Sequence, residues 1–136
     1  MARDCVLIAI CIVKAIYYTQ TVIAFPAKAT ISPDFEMAPA TQIDKVIKGF
    51  ASETVVIDDQ PEFSKRYWLR SREGARLRAL FNPGLVAKLA MLDPGARWSI
   101  EKAGDWLLIY IWKTTAQPGS IRDFCVQTDA LASLFV

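Results

Sequence analysis

The run from Trp106 to Trp112, Trp-Leu-Leu-Ile-Tyr-Ile-Trp, constrains the fold more than any other part of this chain. All seven residues are apolar or aromatic, and the charged residues Asp105 and Lys113 flank them. Seven residues are too few for most helices, and the mixture of isoleucine and aromatic side chains favours a β-strand. We therefore predict a central strand that is covered on both faces.

A second strand is predicted just before this run. Residues 97–101 alternate, with Trp98 and Ile100 on one side and Glu101 on the other. Gly104 lies in the short connection, where it can adopt the positive φ that a tight turn needs. The two strands are therefore expected to form an antiparallel hairpin.

Length and composition exclude several classes of protein. A chain of 136 residues suits one domain, and a net charge of +2 does not by itself indicate nucleic-acid binding. The absence of histidine removes the commonest metal ligand and the usual general base near neutral pH. Cys5, Cys11 and Cys125 have neither zinc-site nor disulfide-framework spacing, so reduced thiols are expected.

The N-terminal stretch from Cys5 to Phe25 has one charged residue, Lys14. It could be a membrane helix, although a central lysine costs about 2.5–3.5 kcal/mol there. It could also be a signal peptide, or two strands. The β-branched residues before Pro26 favour a strand for residues 17–25. We leave residues 1–16 as an apolar strand, anchor or signal-like segment, followed by a single domain of residues 17–136.

The remaining patterns predict an α+β fold. Proline-containing residues 26–40 are expected to be irregular, and apolar spacing predicts a helix over residues 42–51. Further predictions are strands at 54–57 and 67–69, two helices divided at Asn82-Pro83, and a last helix capped by Ser120. We expect a mostly antiparallel sheet of four or five strands with helices packed on one face. The other face is expected to be half open or covered by residues 1–16.

Motifs of catalysis are missing from the sequence. It has no nucleotide-binding glycine loop, no nucleophile elbow and no zinc-protease motif. Asp58, Asp59 and Glu62 are close in sequence, but capping and pairing with arginine explain them better than a bound cation. Ser64 beside Lys65 is weak evidence for a catalytic dyad. We expect no enzyme activity, no metal and no cofactor.

One segment, residues 65–78, is unusually basic, with six basic residues and a single acid, Glu73. Its anion-binding candidates are Lys65, Arg66, Arg70, Arg72, Arg76 and Arg78. Tyr67 and Trp68 are interspersed and could stack on bases. On a strand, Trp68 and Arg70 would share one side and Tyr67 the opposite side. The alternative is an ordinary solvated surface.

Several short motifs, taken in order, resemble those of uncharacterised bacterial membrane-anchored proteins. They are Thr21-Val-Ile-Ala-Phe25, Pro33-Asp-Phe-Glu-Met-Ala-Pro39, Pro61-Glu-Phe-Ser-Lys-Arg-Tyr-Trp-Leu-Arg70, Leu80-Phe-Asn-Pro83 and Gly104-Asp-Trp-Leu-Leu-Ile-Tyr110. The resemblance implies a small domain without enzyme activity, located near a bacterial membrane. It assigns no catalytic residue, and residues 1–16 depart from the pattern.

Two functions are predicted from these features. The first is a non-catalytic binding or scaffold domain, membrane-associated or cytoplasmic, whose partner is an anionic lipid surface or a protein. The second is a module that binds nucleic acid or another anionic ligand through residues 65–78.

Overall fold

The computed structural model describes residues 6–13, 16–28, 32–45 and 53–135. Within these ranges the chain forms seven strands, four α-helices and one 3₁₀ helix. The strands are β1 (Val6–Val13), β2 (Ile16–Pro26), β3 (Phe35–Pro39), β4 (Glu53–Val55), β5 (Tyr67–Ser71), β6 (Trp98–Ala103) and β7 (Trp106–Ile111). The helices are the 3₁₀ helix Ala40–Lys45, α1 (Pro61–Arg66), α2 (Gly74–Leu80), α3 (Pro83–Leu92) and α4 (Ile121–Ala132).

The strands form one antiparallel sheet in the order β1-β2-β7-β6-β3-β5-β4. The predicted α+β class with a mostly antiparallel sheet is confirmed. The predicted number of four or five strands is too small, because the described residues contribute seven. One of the seven, β1, pairs with β2 at the edge of the sheet, so residues 6–13 extend the sheet instead of covering its face.

β3 corrects the prediction of an irregular connection over residues 26–40. Three prolines suggested that this part of the chain could not join a sheet. Yet no proline lies between Phe35 and Ala38, so the strand keeps its backbone donors and pairs with both β5 and β6. The helix predicted over residues 42–51 begins as the 3₁₀ helix, and residues 46–52 lie outside the described part.

Six apolar side chains form a row across one face of the sheet, one from each of six neighbouring strands. Cross-strand register aligns Ile23, Ile109, Ile100, Met37, Leu69 and Val55. Each is at most 5% exposed. Buried residues of all four α-helices belong to the same core cluster as this row, so the helices pack on one face, as predicted.

Phe81 lies at the centre of an aromatic group in this core. It is fully buried, and its ring lies 5.6 Å from that of Phe35, 5.4 Å from Phe63 and 5.8 Å from Phe135. Burial of each such side chain contributes roughly 1.5–3 kcal/mol to stability. Phe81 follows α2 directly, and Asn82 caps α3 by accepting a hydrogen bond from the backbone N–H of Leu85 at 3.0 Å. The predicted division of the two helices at Asn82-Pro83 is thus confirmed.

The hairpin around Gly104 is also confirmed. β6 and β7 pair from Trp98–Ile111 to Ala103–Trp106, and Gly104 has a φ of 57°. However, the two faces of β7 are covered unequally: Leu107 and Ile109 are fully buried, whereas on the opposite face Leu108 and Tyr110 are partly buried and Trp106 is 44% exposed. Complete coverage of both faces was therefore a wrong prediction, since the core residues of the four α-helices described by the structure lie with Leu107 and Ile109. We call the other side the open face.

Candidate functional site

Most cations of the basic segment have local partners. The ammonium of Lys65 lies 3.1 Å from Glu62, and the guanidinium of Arg76 lies 2.8 Å from Glu73. Arg78 donates to the backbone carbonyl of Val56 at 3.2 Å. Lys65 lies on α1, and Arg76 and Arg78 lie on α2. Because each of these side chains is bound to a neighbouring group, residues 65–78 do not form one continuous basic surface.

Arg66 has a structural role. Its Nη2 donates to the carbonyl oxygens of Asp93 and Pro94 at 2.8 and 2.7 Å, which ties the end of α1 to the turn after α3. A guanidinium with two backbone acceptors is already committed. Arg66 is therefore a poor candidate for anion binding.

The two predicted stacking residues lie on opposite faces of β5. Tyr67 is 3% exposed, and its hydroxyl donates to the carboxylate of Asp93 at 2.5 Å. Burial, together with this bond and the charge of Asp93, raises the pKa of Tyr67 well above its usual range. Tyr67 therefore cannot stack on a base, which corrects that prediction. Trp68 is half-buried on the open face, with the guanidinium of Arg70 5.2 Å from its ring centroid.

A half-open cavity of about 480 Å³ lies beside the ends of β3, β5 and β6. We call it the strand-end pocket. Its charged lining consists of two cations of the basic segment, Arg70 and Arg72, together with Lys102 and the acids Asp34, Glu36, Glu73 and Glu101. The volume falls within the range of about 300–1,000 Å³ that is common for small-molecule sites.

Hydrogen bonds hold one wall of this pocket together. Lys102 has a 1% exposed side chain, and its ammonium lies 3.4 Å from Asp34 and 2.5 Å from the carbonyl oxygen of Gly104. Asp34 also accepts from the backbone N–H of Gly104 at 3.0 Å, and its own carbonyl accepts from Ser71 at 2.7 Å. The start of β3, the β6–β7 turn and the end of β5 are thereby joined, so this wall exists before any ligand binds.

Two carboxylates face each other inside the pocket. Glu36 on β3 and Glu101 on β6 are direct cross-strand partners, and Arg70 on β5 is the next neighbour of Glu36 in the same row. Like charges directly opposite each other destabilise a sheet. Burial, and then the charge of Glu36, raise the pKa of Glu101 to about 7, while a hydrogen bond from the Tyr110 hydroxyl opposes that rise.

The pKa of Glu36 is also affected by its surroundings. Burial raises the pKa of its carboxyl group, and the positive charge of Arg70 acts in the opposite direction. Its Oε2 atom is buried and accepts no hydrogen bond from the described residues. A buried acceptor without a donor costs about 1–3 kcal/mol, so this oxygen is a position where a ligand can contribute a donor.

The sequence predictions included Arg70 and Arg72 but missed Glu36, Glu101 and Lys102. The alternation of residues 97–101 did place Glu101 on the side opposite to Ile100. Its partner Glu36 belongs to a strand that was predicted to be irregular, and β3 and β6 are far apart in the chain. Only the register of the folded sheet brings the two carboxylates together.

The described residues contain no group of three or more histidine, cysteine, aspartate or glutamate side chains placed to hold a metal ion. Nor do these residues include a helix with the length and apolar character required to cross a bilayer.

Comparison with protein-family models, with curated proteins and with solved structures found no match to this chain.

Proposed function

We propose that this domain is a non-catalytic binding module that takes a small anionic ligand, a carboxylate or a phosphate, in the strand-end pocket. The observation that carries the proposal is that Arg70 and Arg72 line one cavity. Guanidinium groups present several N–H donors in a fixed plane, which suits both kinds of anion. Arg72 is exposed and has no ion pair within the described ranges, so its donors are accessible to a ligand.

The same chemistry is compatible with a membrane role. A phosphate can belong to a soluble molecule or to the headgroup of an anionic lipid, and basic residues near an anionic surface contribute about 1 kcal/mol each. We keep membrane association as part of the proposal, in agreement with the resemblance to membrane-anchored proteins. Nucleic acid is less well supported, because Lys65, Arg76 and Arg78 are engaged locally and Tyr67 is buried.

Binding of inorganic phosphate and of butanoate can be measured by the chemical-shift changes of backbone amides. We expect the largest changes at residues 70–73 and 101–104. Arg72→Gln should weaken binding at least about tenfold, which corresponds to about 1.4 kcal/mol. Arg122→Gln provides the matched control, because Arg122 is an exposed arginine on α4 outside the pocket.

Two further binding measurements distinguish a lipid headgroup from a nucleic acid as the source of the anion. Co-sedimentation with phosphatidylglycerol vesicles at low salt, lost in Arg72→Gln, would indicate a lipid headgroup. A labelled single-stranded oligonucleotide tests the nucleic-acid alternative, whose affinity should fall steeply with salt. If phosphate, butanoate and vesicles all fail to bind, or if Arg72→Gln and Arg122→Gln behave alike, the proposed function is wrong.

A further inference from the structure

The row of side chains that crosses the pocket has an imbalance of charge. Reading across the open face, the cross-strand partners are Leu108, Glu101, Glu36 and Arg70. Two carboxyl groups thus share one cation within the row. Lys102, a second cation of the pocket, is already bound to Asp34 and to the carbonyl of Gly104.

The remaining contacts of the two carboxyl groups do not remove this imbalance. Tyr110 donates one hydrogen bond to Glu101, and Arg70 lies beside Glu36, but Glu36 Oε2 receives no donor from the described residues. A group that carries a positive charge and several N–H donors would satisfy both carboxylates at once. An ammonium group has that chemistry.

The pocket also contains an arginine that can bind an acidic group of the same ligand. Arg72 lies two residues beyond Arg70, just past the end of β5, and lines the same cavity. An acid group held by Arg72 and an amine held between Glu36 and Glu101 would therefore lie within one cavity of about 480 Å³. One small molecule can carry both groups.

We propose that the ligand of the strand-end pocket is a small zwitterion, with its ammonium group between Glu36 and Glu101 and its carboxylate or phosphate at Arg72. This inference rests on the proposed function, to which it adds the amine. The chemical class includes amino acids with a short spacer and aminoalkyl phosphates.

Matched pairs of probes test the amine directly. 4-Aminobutanoate is compared with butanoate, and phosphoethanolamine with ethyl phosphate, by titration calorimetry at pH 7.5. Each amine-bearing probe should bind at least about tenfold more tightly than its partner, because the ammonium group donates charged hydrogen bonds to the two carboxyl groups.

Substituted variants then identify the residues that bind the ammonium group. Glu36→Gln and Glu101→Gln keep the shape of the side chain and remove one negative charge, so each should reduce the ratio of affinities between the amine-bearing probe and its partner. Arg72→Gln should weaken both members of each pair. Glu62→Gln, on exposed α1, is the control that should change neither. Thermal unfolding of each variant confirms that it is folded.

The outcomes separate the two proposals. If both members of a pair bind equally and Arg72→Gln weakens both, the zwitterion is wrong and anion binding stands. If no probe binds, both proposals are wrong. If the amine-bearing probes bind more tightly but the two glutamate variants retain the full difference, the ammonium lies elsewhere and this inference fails.

Discussion

The buried carboxylate of Asp93 joins three parts of the chain. It is 2% exposed, and it accepts hydrogen bonds from the hydroxyl of Tyr67 and from the backbone N–H groups of Arg97 and Trp98. Asp93-Pro94-Gly95 is a sequence typical of turns, and here the backbone N–H of Ala96 donates to the carbonyl of Asp93. The turn signal gave no indication that the side chain would be buried.

Asp93→Asn should lower the free energy of unfolding by about 2–4 kcal/mol, because an amide offers one acceptor oxygen and no negative charge to three donors. Tyr67→Phe removes a single donor and leaves the two backbone bonds, so its loss should be about 1–2 kcal/mol. Urea denaturation of both variants checks this order. A loss for Asp93→Asn no greater than that for Tyr67→Phe would contradict the role given to the carboxylate.

Glu101 makes stability depend on pH. Its pKa in the folded protein is about 7, compared with an ordinary value of 4.5. Between these values the folded state binds the proton more readily than the unfolded state, so stability falls as the pH rises from about 4.5 to 7. Glu101→Gln mimics the protonated form and removes this dependence. At pH 8 the variant should be more stable than the wild type by roughly 1–3 kcal/mol.

Thermal unfolding at pH 4 and pH 8 measures the effect. At pH 4 the two proteins should have nearly the same midpoint, because wild-type Glu101 is then mostly protonated in both states. The exposed Glu62→Gln variant is the control for a general effect of losing one negative charge. Equal stabilisation by the two substitutions would show that the surroundings of Glu101 are not responsible.

At the scale of elements, the β6–β7 hairpin depends on the conformation of one residue. Gly104 has a φ of 57°, and an added Cβ there would meet no heavy atom within 4 Å. Any effect of a substitution by alanine must therefore come from the backbone conformation and not from crowding. The same turn contributes the backbone groups that bind Asp34 and Lys102 at the pocket wall.

Gly104→Ala should lower the free energy of unfolding by about 1–2 kcal/mol, the cost of a left-handed conformation for a residue with a Cβ. Gly119 is the matched control, because an added Cβ there also meets nothing within 4 Å and its φ lies outside the left-handed region. Gly119→Ala should be neutral or stabilising by a few tenths of a kcal/mol. Urea denaturation of the two variants makes the comparison, and similar losses would argue against backbone strain at Gly104.

At the scale of the whole molecule, sheet and helices share a single core. Buried apolar residues from each of the strands β2 to β7 and from all four α-helices belong to one cluster. A cluster of this kind favours cooperative unfolding, in which a change in one helix lowers the stability of the entire domain. Leu89 tests this, because it is fully buried and lies on α3, whereas Trp68, Trp98 and Trp106 lie on strands of the sheet.

Leu89→Ala should lower the free energy of unfolding by about 2–5 kcal/mol. The unfolding transition of this variant should have the same midpoint whether it is followed by tryptophan fluorescence or by far-ultraviolet circular dichroism. Leu92→Ala, on the same helix but 40% exposed, should cost less than about 1 kcal/mol. Separate transitions for the two probes would show that α3 unfolds independently of the sheet.

The predicted cap at Ser120 is wrong, because its hydroxyl donates to the carbonyl of Gln117 and makes no capping bond to α4. The sequence alone was sufficient for the α+β class, the hairpin at Gly104, the cap at Asn82 and the helix after Ser120. These features depend on local periodicity and on the conformational preferences of individual residues, which neighbours in the chain reveal. β3 was missed because its prolines concealed a short strand whose partners are distant in sequence. The tertiary structure alone decided which face of the sheet is covered and which carboxylates meet, because both depend on the register between strands that are not consecutive. Glu36, Glu101 and Arg70 are three unrelated residues in the sequence, and only the order β6-β3-β5 makes them neighbours in one pocket.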